Sequence, residues 1–179
     1  RKTTIKTRVL SSGKQMLRID SEDQHDLSAA ETSALQNGIS TLLKQGIDGI
    51  LLEDYNKGVL TPELIEWIIA EAKALDIPVV VDPKKKNFLA FKGCTLFKPN
   101  LKEAMQILDF NYKDLSNLPS LSNILKDKLL CKKLMITLAS EGIWIETDEV
   151  HQRFSTRPRK VADVSGAGDT VISLAAICM

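Results

Sequence analysis

The sequence predicts an α/β fold whose central sheet is mostly parallel, with a small β-hairpin ahead of it. The apolar run DGILLED, the helical stretch TPELIEWIIAEAKAL and the second run IPVVVDP follow one another within about 35 residues. Strand, helix and strand in that order form a βαβ unit, whose two strands lie parallel in one sheet. Apolar runs and helical stretches keep alternating toward the end of the chain, which is typical of this fold class.

The first elements form a pair apart from the rest. The runs TTIKTRVL and KQMLRID have strand composition, and Ser11, Ser12 and Gly13 between them are typical of a tight turn. We therefore expect a hairpin over residues 1–20. A helical spacing of apolar residues follows, from Ser28 to about Gln45.

The βαβ unit and its neighbours make up the expected core, residues 28–179. Thr61 precedes the central helix as its N-cap, and Pro62 takes its first position. The segment CTLFKPN leads into a helix, a second helical stretch covers roughly 118–130, and KLMITLASEGIWIET is typical of strand, tight turn and strand.

Composition limits the classes of function that this chain can serve. Of the 179 residues, 44% are hydrophobic and 26% are charged, which is the balance of a soluble globular domain. Twenty-four basic and 23 acidic residues give a net charge of +1, so nothing favours nucleic acid or an anionic membrane surface as a partner. We therefore expect a small molecule as the ligand.

The location that the sequence predicts is the cytoplasm. Cys94, Cys131 and Cys178 are odd in number and widely spaced, as in proteins with reduced thiols. The polar start RKTTIKTRV lacks the apolar core of a signal peptide. No apolar run reaches the roughly 18 residues that a membrane span requires.

Polar residues at the ends of predicted strands indicate a site. Asp54, Asp82, Asn100 and Thr137 each follow an apolar run. At any one position, a strand that simply stops at a polar residue is an equally good explanation. Four such residues favour a ligand site, because ligands of open parallel sheets bind at the edge where the carboxyl ends of the strands meet.

The stretch SGAGDT, ahead of the last apolar helical stretch, is the second sign of a site. Gly166, Ala167 and Gly168 carry almost no side chain, so an anion can approach the amides that open the helix. Asp169 beside them is suited to take a proton from a nucleophile that attacks a bound phosphate. For the glycines alone, a structural turn at the helix start is at least as good an explanation.

Together with its flanks, DVSGAGDT resembles the carboxyl-terminal signature of the ribokinase-like (PfkB-type) sugar kinases. KPNLKEA resembles the N-x-x-E motif of that family and TLASEG its T-x-G-S-x-G nucleotide loop, in the family's order. TTIKTRVL, QMLRID, EDYNKGVL and VDPKKKNF look most like the heptose 7-phosphate kinase domain of the bifunctional heptose kinase/ADP-heptose synthase. The resemblance implies a ribokinase-like three-layer sandwich in which the hairpin is a lid segment.

The resemblance also implies catalytic roles at the start of the last helix. Asp169 matches the general base that deprotonates the sugar hydroxyl. The backbone of Gly166, Ala167 and Gly168 matches the anion hole for the transferring phosphoryl group.

Nucleotide and metal roles follow from the other two motifs. Asn100 and Glu103 match the pair that organises Mg²⁺ through its waters near the nucleotide phosphates. Thr137, Ser140 and Gly142 match the loop that contacts ATP. A solvated helix position is the alternative explanation of Glu103.

The basic residues that we expect to bind the sugar phosphate are Arg8, Arg18, Lys57 and Lys84, because guanidinium and ammonium groups are the usual ligands of phosphate. Exposed hairpin charges are the alternative for the two arginines. The sequence departs from the family at Ala139, where the nucleotide loop has glycine, and at Lys85, where similar heptose kinases have glycine.

The function that the resemblance implies is an ATP- and Mg²⁺-dependent transfer of the γ-phosphoryl group to the anomeric hydroxyl of D-glycero-D-manno-heptose 7-phosphate, in ADP-heptose and lipopolysaccharide precursor synthesis. We expect residues 1–179 to be a partial kinase domain without the family's amino-terminal half and carboxyl-terminal helices, inactive alone, and to form a homo-oligomer, a dimer. Another ribokinase-like sugar kinase, or a non-catalytic phosphate-binding or oligomerising fragment, are the alternatives.

Overall fold

A hairpin and a larger sheet share the chain in the computed structural model, which describes residues 1–12, 14–109, 114–157 and 166–179. The hairpin consists of β1 (Ile5–Ser11) and β2 (Lys14–Ser21), which pair antiparallel as the sequence predicts. Both of its strands are exposed along their whole length. The hairpin therefore stands away from the core.

The larger sheet has six strands in chain order, which are β3 (Ile50–Glu53), β4 (Val79–Asp82), β5 (Leu96–Phe97), β6 (Lys133–Thr137), β7 (Ile143–Glu146) and β8 (His151–Phe154). The first four are parallel, and β7 and β8 add antiparallel pairs at one edge. The mostly parallel sheet is thus confirmed. The sequence analysis missed β8, whose run HQRF is polar and mainly exposed and so carries no apolar alternation.

The helices of the described residues include the one after Thr61, which begins where the sequence predicts its cap. They are α1 (Ala29–Gln45), α2 (Pro62–Ala74), α3 (Leu101–Leu108), α4 (Leu118–Leu129) and α5 (Ala167–Ile177). Ser28 caps α1 and Thr61 caps α2, each through its side-chain oxygen. Short 3-10 helices at Lys85–Phe91, Leu115–Asn117 and Ala139–Glu141 complete the described elements.

Helices cover both faces of the sheet. Val79 and Val81 of β4 lie in the main core cluster together with the apolar face of α2. Val80 between them points to the opposite face, where it packs with Leu96 and with Ile172 of α5. This alternation produces the three layers of the expected sandwich and sets the start of α5 against the sheet.

Among the helices of residues 1–12, 14–109, 114–157 and 166–179, none is long and apolar enough to cross a bilayer.

Candidate active site

Three carboxylates meet where the first two strands of the larger sheet end. Glu53 and Asp82 are paired positions in the parallel register of β3 and β4, so their side chains leave the sheet on the same face. Asp169 reaches them from the first turn of α5, and one oxygen of each carboxylate lies within 4.8 Å of the other two. Asp169 is exposed, whereas Glu53 and Asp82 are partly buried.

A buried lysine lies on one side of this group. Lys98 Nζ is 2.8 Å from Asp82 Oδ2, and the Lys98 side chain is only 3% exposed. A Cβ added to Gly168 would lie 3.8 Å from each of these two atoms, so the start of α5 rests directly on the ion pair. The charge of Asp82 is therefore balanced within the protein.

Glu53 has a different environment. The hydroxyl of Tyr55 donates a hydrogen bond of 2.8 Å to Glu53 Oε1. Burial raises the pKa of Glu53, and neighbouring Asp169 adds to that rise against the opposing bond from Tyr55. The same bond is the main reason why the pKa of Tyr55 is raised to about 12.

The start of α5 has the geometry of an anion-binding turn. Gly166 adopts the left-handed φ of 74°, which favours glycine. The first bond of the helix runs from the amide of Thr170 to the carbonyl of Gly166, so the amides of residues 167–169 precede the ladder of helical hydrogen bonds. The neighbouring residues 163–165 of the motif lie outside the described part of the chain.

Asn100 and Glu103 form the N-terminal capping box of α3. Asn100 Oδ1 accepts from the amide of Glu103, and Glu103 Oε2 accepts from the amide of Asn100, both at 2.9 Å. Glu103 Oε1 also pairs with the ammonium of Lys84. Burial is the largest influence and lowers the pKa of Lys84, but the bond to Glu103 and the charges of Glu103, Asp82 and Asp54 together outweigh it, so that the pKa of Lys84 is raised. The sequence motif therefore has a structural role besides the metal role implied by the resemblance.

The loop that contains Thr137, Ser140 and Gly142 lies beside this capping box. Thr137 is the last residue of β6 and forms a parallel bridge with Asn100. A Cβ on Gly142, which has a φ of 100°, would come within 1.9 Å of the carbonyl oxygen of Phe154. Close approach to β8 thus requires glycine here. Ala139, at the family's glycine position, adopts a left-handed φ of 53°.

Each of the four basic residues predicted to bind the sugar phosphate lies beside another charged residue. Arg8 and Arg18 lie opposite each other in the hairpin register, and Arg18 pairs with Asp20 at 2.7 Å. Lys57 pairs with Glu22, just after β2. Lys84 pairs with Glu103 instead, so the structure does not bring the four cations into one cluster of direct contacts.

One charged residue of the hairpin contacts the loop after β3. Lys6 Nζ lies 5.5 Å from the centre of the Tyr55 ring, a cation–π contact. Lys6, Arg8 and Arg18 share one face of the hairpin, because they are alternate or opposite positions in the register. The two arginines therefore lie on the same hairpin face as the lysine that contacts Tyr55.

The sequence analysis did not predict Glu53 and Lys98 as site residues. It did expect Asp54 at the site, but Asp54 has a different role in the structure. Asp54 is 4% exposed, and its carboxylate accepts from the amide of Asn56 and from Asn87 Nδ2, so it stabilises the loop after β3. Glu53, one position earlier, faces Asp169 instead. Lys98 was not predicted, because in the segment KPN only the asparagine matches a residue of the N-x-x-E motif.

Comparison with known sequences identifies the family. The profile described as pfkB family carbohydrate kinase matches residues 1–178. A curated relative named bifunctional protein HldE, from Syntrophotalea carbinolica, is 40% identical in an alignment 177 residues long that covers 97% of this chain and 36% of the relative. The chain thus spans little more than a third of that relative's length.

Two solved kinase structures share the fold of this chain. The tetrameric inhibited form of phosphofructokinase-2 from Escherichia coli superimposes with a TM-score of 0.78 at 18% identity, over 97% of this chain and 57% of that one. Ribokinase from Arabidopsis thaliana, complexed with ribose and ATP, gives a TM-score of 0.64 at 14% identity, over 98% of this chain and 55% of that one. These likenesses concern the fold.

Proposed function

The chain belongs to the pfkB family of carbohydrate kinases, and on that premise we propose that it transfers the γ-phosphoryl group of ATP to the anomeric hydroxyl of D-glycero-D-manno-heptose 7-phosphate. One observation carries the phosphoryl transfer: Asp169 is exposed in the first turn of α5, beside the amides of Ala167 and Gly168, which precede the first hydrogen bond of that helix. The heptose substrate rests on the resemblance of TTIKTRVL, QMLRID, EDYNKGVL and VDPKKKNF to heptose 7-phosphate kinases.

In the proposed reaction, Asp169 accepts the proton of the attacking hydroxyl. The O–H bond of the sugar breaks, a bond forms between its oxygen and the γ-phosphorus, and the bond from that phosphorus to the β-phosphate oxygen breaks. The amides of Ala167 and Gly168, together with the positive end of the α5 dipole, stabilise the negative charge on the transferring group. These amides are already oriented by the folded backbone, so they need not reorganise when negative charge develops on the transferring group.

The nucleotide and its metal belong, in this proposal, beside Asn100 and Glu103. Both offer the oxygen ligands that Mg²⁺ prefers, and a carboxylate has about four lone-pair sites, of which the contacts of Glu103 to Asn100 and Lys84 use two. Mg²⁺ held there through water would neutralise phosphate charge. Thr137, Ser140 and Gly142 are the proposed ATP loop, and Thr137 adjoins Asn100.

The remote phosphate of the sugar is assigned to Arg8, Arg18, Lys57 and Lys84. The arginines share a hairpin face with Lys6, which contacts Tyr55, and Lys57 follows in the loop after β3. Their acidic partners, such as Asp20 and Glu22, hold the cations in place until phosphate competes for them.

A second copy of this chain is the proposed partner of the hairpin. The hairpin face opposite Arg8 and Arg18 carries exposed apolar side chains, which are Ile5, Val9, Leu17 and Ile19. An isolated two-stranded hairpin is at best marginally stable in water, so this face favours burial against an equivalent one. Phosphofructokinase-2, which shares the fold, has been solved as a tetramer.

Substitution of the proposed base tests the function. In the full-length protein, Asp169→Asn is expected to fold and bind ATP but to lose about 10²-fold or more in kcat, which is the usual scale for loss of a general base. The measurement is ADP release with heptose 7-phosphate, with Asp127→Asn on exposed α4 surface as the matched control. Wild-type turnover by Asp169→Asn would rule out this role.

A further inference from the structure

We propose that Arg153 of β8 and Thr156, which follows that strand, are positioning residues for the proposed ATP loop, residues 137–142, and hold its backbone in the shape that binds the nucleotide. The inference rests on the proposed function, and it adds two residues that lie outside the motifs KPNLKEA, TLASEG and DVSGAGDT. Both act through the loop and need no contact with ATP.

The tip of this loop has no place in the hydrophobic core. Leu138 is 5% exposed and anchors the start of the loop in the main core cluster, and Gly142 at its end is buried. Ala139, Ser140 and Glu141 between them are exposed. The shape of the tip therefore depends on hydrogen bonds rather than on packing.

The backbone of the tip is strained at Ala139. Its φ of 53° lies in the left-handed region, where the Cβ of an L-residue crowds the backbone, whereas glycine adopts this φ without that cost. A residue held in this region persists only where its surroundings fix it. Ala139 therefore needs contacts that hold the tip in place.

Two side chains from the edge of the sheet supply such contacts. Arg153 Nη1 donates to the carboxylate of Glu141 at 2.9 Å and to the backbone carbonyl of the same residue at 3.3 Å. The hydroxyl of Thr156 donates to the backbone carbonyl of Ser140 at 2.6 Å. Because both side chains bind carbonyl oxygens, they restrain the backbone of the two residues that follow Ala139.

The fold brings β8 directly against the loop. A Cβ on Gly142 would lie 1.9 Å from the carbonyl oxygen of Phe154, the residue after Arg153. Phe154 also pairs with Ile143, the first residue of β7, in the antiparallel register. The segment that carries Arg153 and Thr156 therefore runs alongside the loop.

A loop that already has its binding shape binds the nucleotide more tightly, because the apparent dissociation constant rises as the populated fraction of the competent shape falls. Without the contacts from Arg153 and Thr156, Ala139 can relax to a negative φ and the competent fraction falls. The effect should appear in ATP binding and spare the transfer step, since Asp169 lies on a separate element, α5.

The first arm of the test is Arg153→Ala in the full-length protein. We expect the dissociation constant and the KM for ATP to rise about tenfold, the scale of one hydrogen bond to a charged group, while kcat at saturating ATP changes less than about twofold. Thr156→Val, which removes only the hydroxyl bond, should weaken ATP binding in the same way. Gln152→Ala is the matched control, because Gln152 is exposed on the same strand and its side chain leaves the other face.

The second arm separates positioning from a direct contact with ATP and from a merely structural role. Ala139→Gly removes the strain, so it should recover most of the lost ATP affinity in the Arg153→Ala protein and improve the wild-type protein less. A loss that Ala139→Gly does not recover means that Arg153 binds ATP itself or supports the fold as a whole, and that result overturns the proposal. So does an ATP affinity that neither Arg153→Ala nor Thr156→Val changes.

The third arm needs neither nucleotide nor turnover, so it separates this inference from the proposed function. Amide hydrogen exchange of residues 138–142 in the nucleotide-free protein should be faster in Arg153→Ala and in Thr156→Val, and unchanged in Gln152→Ala. Wild-type exchange in both loop variants overturns the inference even in an active kinase. Faster exchange and weaker ATP binding, without turnover of heptose 7-phosphate, contradict the proposed function alone.

Discussion

Glu103 shows how one side chain combines a structural and a functional role. Its carboxylate closes the capping box with Asn100 and pairs with Lys84, so its position is fixed by the fold before any ligand binds. Glutamine also closes a capping box at this position. Replacing Glu103 by glutamine therefore removes charge while the helix start is kept.

We expect Glu103→Gln to raise the Mg²⁺ concentration that gives half-maximal activity by about tenfold, the scale lost when one polar group near a metal is altered. Thermal unfolding should change little, since the cap remains. The measurement is a Mg²⁺ titration of kinase activity, with Glu71→Gln on exposed α2 surface as the control. An unchanged titration would assign Glu103 to the capping role alone.

Individual site residues differed in how far the sequence could predict them. Asp169 and Gly166 lie in a local pattern, because the start of a helix has its own sequence requirements. Their catalytic roles stay predictions. Glu53 could not be found in this way, since its partner Asp82 is set by the register of two strands that are far apart in the chain. Glu53 in isolation is an ordinary strand end.

At the scale of elements, α1 depends on a charged cap. Ser28 and Glu31 form its capping box, and the bonds from the Ser28 side chain and backbone lower the pKa of Glu31 to about 2. A carboxyl whose pKa is lowered on folding stabilises the protein above its unfolded value of 4.5. This contribution is lost as the pH falls through about 2.

The prediction concerns the pH dependence of stability. Glu31→Gln is expected to lower the urea midpoint at pH 7, and the difference from the wild-type protein should shrink as the pH falls from 4.5 toward 2. Urea unfolding followed by circular dichroism at several pH values measures this. A difference that stays constant over that range would show that the charge of Glu31 adds nothing to the cap.

The hairpin has an apolar face whose burial can be tested separately. We expect Leu17→Lys to weaken self-association by at least about tenfold, because a charge then lies in the proposed contact between two hairpins. Sedimentation equilibrium measures the dissociation constant. Leu75→Lys, at a position of nearly equal exposure at the end of α2 (54% against 53% for Leu17), is the control that should associate as the wild-type protein does. A monomeric wild-type protein would contradict the dimer.

At the scale of the whole molecule, substrate choice depends on elements that lie far apart in the sequence. The hairpin supplies Arg18, whereas Asp169 comes from α5. Binding energy from a phosphate that does not react can orient the hydroxyl that does, so its loss lowers kcat as well as affinity. The hairpin and the sheet edge must therefore act on one substrate.

We expect Arg18→Ala to lower kcat/KM for heptose 7-phosphate by about 10- to 100-fold, the equivalent of one charge-assisted hydrogen bond of roughly 1.5–3 kcal/mol. Activity on the unphosphorylated heptose, already low, should not fall further. Lys44→Ala, in the last turn of α1, is the control. Equal kcat/KM for ribose or fructose and for heptose 7-phosphate would favour a different sugar kinase.

The fold class was predictable because its signals are local. The cap Thr61, the helical stretch after it and the apolar runs of β3 and β4 were enough to place a βαβ unit, and the structure confirms it. The edge strand β8 and the 3-10 helix Lys85–Phe91 were missed, because their form depends on packing against neighbours rather than on periodicity.

The three carboxylates of Glu53, Asp82 and Asp169 are synthesised at different times, because they lie far apart in the sequence. Asp169 follows Glu53 about 116 residues later, which at 5–20 residues per second means roughly 6 to 23 seconds of synthesis. During that interval β3 and β4 can pair, but the proposed base does not yet exist. On the proposed function, a nascent chain therefore lacks its base until α5 has been synthesised and docks on the sheet.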